Sequence, residues 1–116
     1  MSKPISRMAR QGDILIVKVA DLPDGLTPVE KDKGRDILAY GEVTGHAHAV
    51  ANSEVSNLFV DIDSNDVDEM RDRFLSIEKD TEIVHEEHDS IPLGPGVYKV
   101  IRQVQYEPEG YKYVAD

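Results

Sequence analysis

Residues 36–50 read DILAYGEVTGHAHAV, and the character of this stretch decides the fold class. Asp36–Tyr40 begins as a strand, Gly41 and Gly45 interrupt it, and strand character resumes through His46-Ala47-His48. Glycine inside a strand pattern signals a bulge, a bend or the close approach of another backbone. Working outward, residues 13–19 (DILIVKV) carry Ile14, Ile16 and Lys18 on one face and Leu15, Val17 and Val19 on the other. With both faces mainly apolar, this is the pattern of an interior strand. Residues 55–62 add another strand, and Phe74–Glu78 with Thr81–His85 read as a hairpin around Lys79-Asp80. Pro92, Gly94, Pro95 and Gly96 form a rigid turn, after which Val97–Tyr106 alternates and Tyr111–Val114 resumes. Residues 22–25 read as a turn and 27–35 as a charged loop, and in residues 63–73 Val67, Met70 and Phe74 stand at helical spacing after residues able to cap. The expected fold is mainly β: a single small β-sandwich or barrel-like domain over residues 12–116, with one short surface helix and an N-terminal segment at 1–11.

The chain has 116 residues, the length of one domain, and is 40% hydrophobic and 31% charged. With no Trp and two Phe, its core must be aliphatic. The absence of Cys excludes disulfides and zinc–thiolate sites, so any metal here takes nitrogen and oxygen ligands. A formal charge of −10 repels a phosphate backbone, which argues against a nucleic-acid partner and leaves a protein partner or a homo-oligomer. Residues 1–12 contain no apolar run of signal-peptide or membrane-span type, so the expectation is a cytoplasmic protein with no membrane contact.

Four histidines occur, in two pairs: His46 with His48, and His85 with His88. On a strand, side chains alternate with period two, so His46 and His48 leave the same face, with only Ala47 between them. The second pair lies in His85-Glu86-Glu87-His88. A zinc-protease helix needs its histidines at i and i+4, and the i, i+3 spacing here, with Pro92 and Gly94 close behind, excludes that reading. A strand end turning into a loop fits better: it sets His85 and Glu87 on one face and brings His88 round. Together His46, His48, His85 and His88 form the expected metal site for zinc, iron, manganese, nickel or copper. Glu87, or Glu86, is the expected catalytic base, while Glu42 is a supporting or surface acid and Gln103, Tyr98 and Tyr106 are candidate pocket residues.

Gly41, His46, His48, Pro92 and Gly94 resemble part of the cupin pattern, G-x₅-H-x-H-x₃₋₄-E followed by P-x-G-x₂-H, which implies a small β-barrel holding a metal. Gly41 stands one residue too close to His46, Glu54 one too far beyond His48, and Val97 takes the place of the later histidine. The stretches AYGEVTGHAH, VHEEH and GVYKVIRQVQYEP also resemble small uncharacterised proteins of bacteria and their phages. Two functions follow from the residues. The first is a metal-binding domain, with metal-assisted hydrolysis or oxidation where the ion keeps an open position. The second is a non-enzymatic structural or interaction protein of a bacterial or phage assembly, with its histidines structural or at an interface.

Overall fold

The computed structural model describes residues 4–5, 7–40, 45–61, 73–102, 104–107 and 110–113. The chain is mainly β, and every strand pairing among the described residues is antiparallel. The order begins with β1 (Met8–Gln11), β2 (Ile14–Val19), β3 (Thr27–Pro28), β4 (Ile37–Tyr40), β5 (Ala47–Val50) and β6 (Ser56–Val60). It continues with β7 (Arg73–Ile77), β8 (Thr81–Val84), β9 (Ile91–Leu93), β10 (Gly96–Arg102), β11 (Val104–Glu107) and β12 (Gly110–Tyr113). A six-stranded sheet has the order β1-β2-β10-β7-β6-β3, a four-stranded sheet the order β4-β5-β8-β9, and among the described residues β11 pairs with β12 in a two-stranded sheet. The helical element among the described residues is a three-residue 3₁₀ turn, Ser53–Val55.

One apolar cluster joins the two larger sheets. Ile14, Ile16, Leu58, Leu75, Ile77, Tyr98 and Val100 of the six-stranded sheet pack with Leu38, Val50, Ile83, Ile91 and Leu93 of the four-stranded sheet. The expected interior strand is β2, between β1 and β10, with Ile14 and Ile16 fully buried and the opposite face half-buried. Two connections differ from the sequence reading. The strands expected as a hairpin around Lys79-Asp80 belong to different sheets: β7 pairs with β6 and β10, and β8 with β5 and β9. Residues 78–80 therefore cross between layers, because Leu75, Ile77 and Ile83 belong to one core and a flat hairpin would not deliver them to both of its walls. Pro92, expected in a turn, sits inside β9, an edge strand where its missing N–H breaks no ladder.

The sheet also starts before Gly12, since Met8–Gln11 pairs with β2. The long strand expected over 97–106 is divided into β10 and β11. The helix expected over 63–73 falls outside the described residues, except for Arg73, which opens β7. No helix among the described residues is long and apolar enough to cross a membrane.

Tyr98 is the largest side chain in the core with no exposure, and its hydroxyl donates to the Gly94 carbonyl at 2.8 Å. Burial pushes its phenol above the ordinary 10.0, and the Asp80 carboxylate adds to the effect. A raised folded value means the contribution is fully present below pH 10.0 and is lost as pH rises from there through the folded value. Urea unfolding should therefore give a constant difference between wild type and Tyr98→Phe up to about pH 9, with the wild type losing ground above about pH 10.

Candidate functional site

The site is built where a tight turn, a strand and a loop meet. Gln11 pairs with Ile14, so Gly12-Asp13 forms a two-residue hairpin loop. Glycine at the first central position with φ 56° is the type II′ arrangement, which matches strand twist and is open to glycine without strain. This turn puts Gln11 and Asp13 on either side of the β5 histidine. Across the four-stranded sheet, Ala49 pairs with Val84 and Val50 with Ile83. Extending that register past the ladder sets His48 opposite His85 and Ala47 opposite Glu86. The two histidine pairs are thus brought together by cross-strand register.

The rings form a contiguous group. His48 and His85 have centroids 4.4 Å apart, His85 and His88 4.6 Å, His46 and His85 5.5 Å, and His48 and His88 6.2 Å with nearly parallel planes. All four histidines singled out in the sequence therefore meet, with His85 at the centre.

His48 has no exposed surface, and both its ring nitrogens face acceptors. Nδ1 lies 2.8 Å from Gln11 Oε1 and Nε2 lies 2.9 Å from Asp13 Oδ1. The Gln11 amide is oriented by its own nitrogen, which donates to the Ile83 carbonyl at 3.1 Å and the Asp89 carbonyl at 2.8 Å, so its oxygen is what His48 meets. A ring with acceptors on both sides donates twice, which is the imidazolium form. Asp13, 1% exposed, gives its second oxygen to Arg102 Nε at 2.9 Å, and Arg102 Nη2 donates to the Tyr40 carbonyl at 3.0 Å. One buried carboxylate is shared by two cations from β5 and β10. Whereas the sequence reading assigned His48 to an ion, here it commits both nitrogens to protein.

On the other side of His85, the carboxylate drawn in is Glu86. Its Oε1 accepts from the Ala47 amide at 2.6 Å, and this hydrogen bond holds the Glu86 carboxyl below the usual range. Glu87, the expected base, is exposed, and its backbone N–H donates to His85 Nδ1 at 3.0 Å. That bond puts the proton of a neutral His85 on Nε2. One ligand atom each from His46, His85 and Glu86 lie within 4.8 Å of one another. The Nδ1 of His46 is buried without a hydrogen-bond partner.

Tyr98 belongs to the core, while Glu42, Gln103 and the Tyr106 side chain lie outside what is described. Gln11, Asp13 and Arg102 were not singled out by sequence. The available signal was Arg102 sharing a strand face with Tyr98 and Val100, a charge where the alternation demands an apolar residue.

The family model for DUF8820, a domain of unknown function, matches residues 10–103, and the chain belongs to this family. That span contains every residue of the site from Gln11 to Arg102. No curated protein and no solved structure matches the chain.

Replacing Asp13 by Asn should strand two cations in the interior, at a cost of about 3–5 kcal/mol in urea unfolding. Adding Arg102→Met to Asp13→Asn should recover part of that loss. A loss for Asp13→Asn below about 1 kcal/mol, the scale of an exposed pair, would contradict the network.

Proposed function

We propose that this DUF8820 domain binds one divalent transition-metal ion through His46, His85 and Glu86, with His88 beside them and His48 as a positioning residue. The observation that carries the reading is the convergence of two imidazoles and a carboxylate, from segments 39 residues apart in sequence, to within 4.8 Å. The buried, unpartnered Nδ1 of His46 adds to it, since a buried ring nitrogen ordinarily has a partner. Nitrogen and oxygen donors of this kind suit zinc, iron, manganese or nickel. Two imidazoles and one carboxylate leave coordination positions open, which suits metal-assisted hydrolysis or oxidation. In the hydrolytic case the exposed Glu87 carboxylate is the candidate base.

Loading requires rearrangement. Ligands about 2.0–2.1 Å from zinc in a tetrahedral site sit roughly 3.3 Å apart, so the group must contract by up to about 1.5 Å. Coordination through His85 Nε2 also moves the ring proton to Nδ1 and breaks the bond from the Glu87 amide. Metal uptake would thus remodel the β8–β9 loop.

A second reading has its own support. His48 is saturated by Gln11 and Asp13, and His85 accepts from the loop backbone, as in a hydrogen-bonded knot that holds the β8–β9 loop without an ion. In that case the domain is a structural or interaction module.

Metal analysis of untagged protein incubated with zinc, iron(II), manganese or nickel and then desalted separates the two. The metal reading expects one equivalent and a rise in Tm on loading, with uptake abolished in His46→Ala. Glu86→Gln should weaken binding by at least about tenfold. Absence of stoichiometric uptake with all four metals would sink it and leave the structural reading.

A further inference from the structure

The C-terminal ribbon has a face that the sandwich does not account for. Among the described residues β11 and β12 pair with each other and with neither larger sheet. Their register sets Val104 opposite Tyr113 and Tyr106 opposite Tyr111, with Gln105 opposite Lys112 and Glu107 opposite Gly110. Successive residues of a strand alternate between faces, so Val104, Tyr106, Tyr111 and Tyr113 share one face and Gln105, Glu107 and Lys112 the other. Three of the chain's five tyrosines thus stand at neighbouring positions of one short ribbon. A two-stranded hairpin is marginal in water by itself and gains stability by packing an apolar face on something else. The span shared with the family ends at residue 103, one residue before β11, so the ribbon is an addition to the family domain.

The six-stranded sheet offers a matching surface. With Ile14, Ile16, Tyr98 and Val100 in the core, the alternate residues Leu15, Val17 and Val19 of β2 and Val97 and Ile101 of β10 lie on the outer face. Val19 pairs directly with Val97 and Leu15 with Ile101, so the apolar positions are contiguous. All five are half-buried, and Met8, 55% exposed, pairs with Val17 on the same face. An antiparallel sheet with one wet face ordinarily places polar residues there. No Asp or Glu occupies an outward position of β1, β2, β7 or β10, in a chain that has 23 of them.

We infer that the β11–β12 ribbon of one copy packs its tyrosine face on the outer face of the six-stranded sheet of a second copy, in a reciprocal exchange. The contact is independent of the proposed metal site. Charge favours it: two chains of net charge −10 repel in most approaches, and this pairing sets no carboxylate of one face against a carboxylate of the other. Area fits a reciprocal pair. Three tyrosines at about 150 Å² each, with Val104, give one ribbon roughly 500 Å² to bury, and the sheet beneath it loses a similar area. Two such contacts about a two-fold axis remove about 2,000 Å² from water, at the upper end of the roughly 1,200–2,000 Å² of standard stable interfaces, whereas one contact stays below that range.

Sedimentation velocity and light scattering on the full chain, in EDTA so that no metal ion bridges two copies, give the oligomeric state. A dimer of twice 13.0 kDa is expected, with a Kd of about 10 µM or tighter. Tyr106→Ser combined with Tyr111→Ser should weaken it at least about hundredfold, while the amide NMR spectrum of residues 10–102 stays that of the folded domain. Val17→Asp should do the same from the sheet side. Should Val17→Asp fail to fold, Val17→Thr keeps the shape and adds a hydroxyl, and a several-fold weakening is expected. In a dimer mixed from isotope-labelled and unlabelled copies, nuclear Overhauser contacts should join tyrosine rings of one copy to the Val17, Val97 and Ile101 methyls of the other. Three results would each overturn the assignment: a chain monomeric up to about 100 µM, ring-to-methyl contacts confined to a single copy, or a dimer insensitive to the tyrosine pair or to the Val17 variant that folds.

Discussion

The Asp13 carboxylate is buried with 1% exposure, and its two oxygens tie three parts of the molecule together. An ionised carboxylate removed from water costs several kcal/mol unless it is paired, and the cost returns if either partner moves away. Asp13 therefore requires that the β1–β2 turn, the β5 histidine and the end of β10 arrive in one register. Gln11, two residues earlier, extends the constraint to the β8–β9 loop through the Ile83 and Asp89 carbonyls. Alternative slips of β5 or β10 would reverse which face His48 and Arg102 occupy and leave the charge alone. The polar group is thus a register device for the end of the sandwich that carries the histidines.

The same constraint shapes the chemistry beside it. A doubly donating His48 lies 4.4 Å, ring to ring, from His85, so a positive group is fixed next to the proposed ligands. A divalent ion would meet that charge, and the nearby carboxylates of Asp13 and Glu86 offset it. Their positions are set before an ion arrives: Asp13 by two cations, Glu86 by the Ala47 amide. Within this frame His46 keeps room to adjust, because its buried Nδ1 has no hydrogen-bond partner.

Much of the fold was legible because the strands carry their own signal. The alternation in β10 and the two apolar faces of β2 follow from the pleat and from an interior position. The misread hairpin at residues 78–80 has a physical cause: a short polar link fits a hairpin and a crossing between layers equally well, and only the common core decides. In the site, period two brought His46 and His48 together, and the loop reading brought His85 and His88 to them. Glu86 could not be chosen over Glu87 because the choice depends on the β5–β8 register, a long-range pairing that neither segment encodes alone. Asp13 could not be picked out for the same reason, since its partners lie 35 and 89 residues away.

A comparison within the molecule separates polar groups that serve the fold from those that exceed its needs. Asp36 is buried as deeply as Asp13, with Lys31 and Ser56 on one oxygen and its own amide donating to Ser53. That cluster anchors the start of β4 to the 3₁₀ turn, with short side chains and a nearby lysine. Such capping is the economical way to end a strand against a turn. The other cluster spans three connections and adds a row of imidazoles in mutual contact. Hydrophobic residues of similar volume would fill that space with equal or greater stability, because buried ion pairs rarely outperform apolar packing. The Asp36 cluster closes the start of a strand against a turn, whereas the four histidines around His85 exceed that need, which is the ground for placing the proposed metal site at that end of the sandwich.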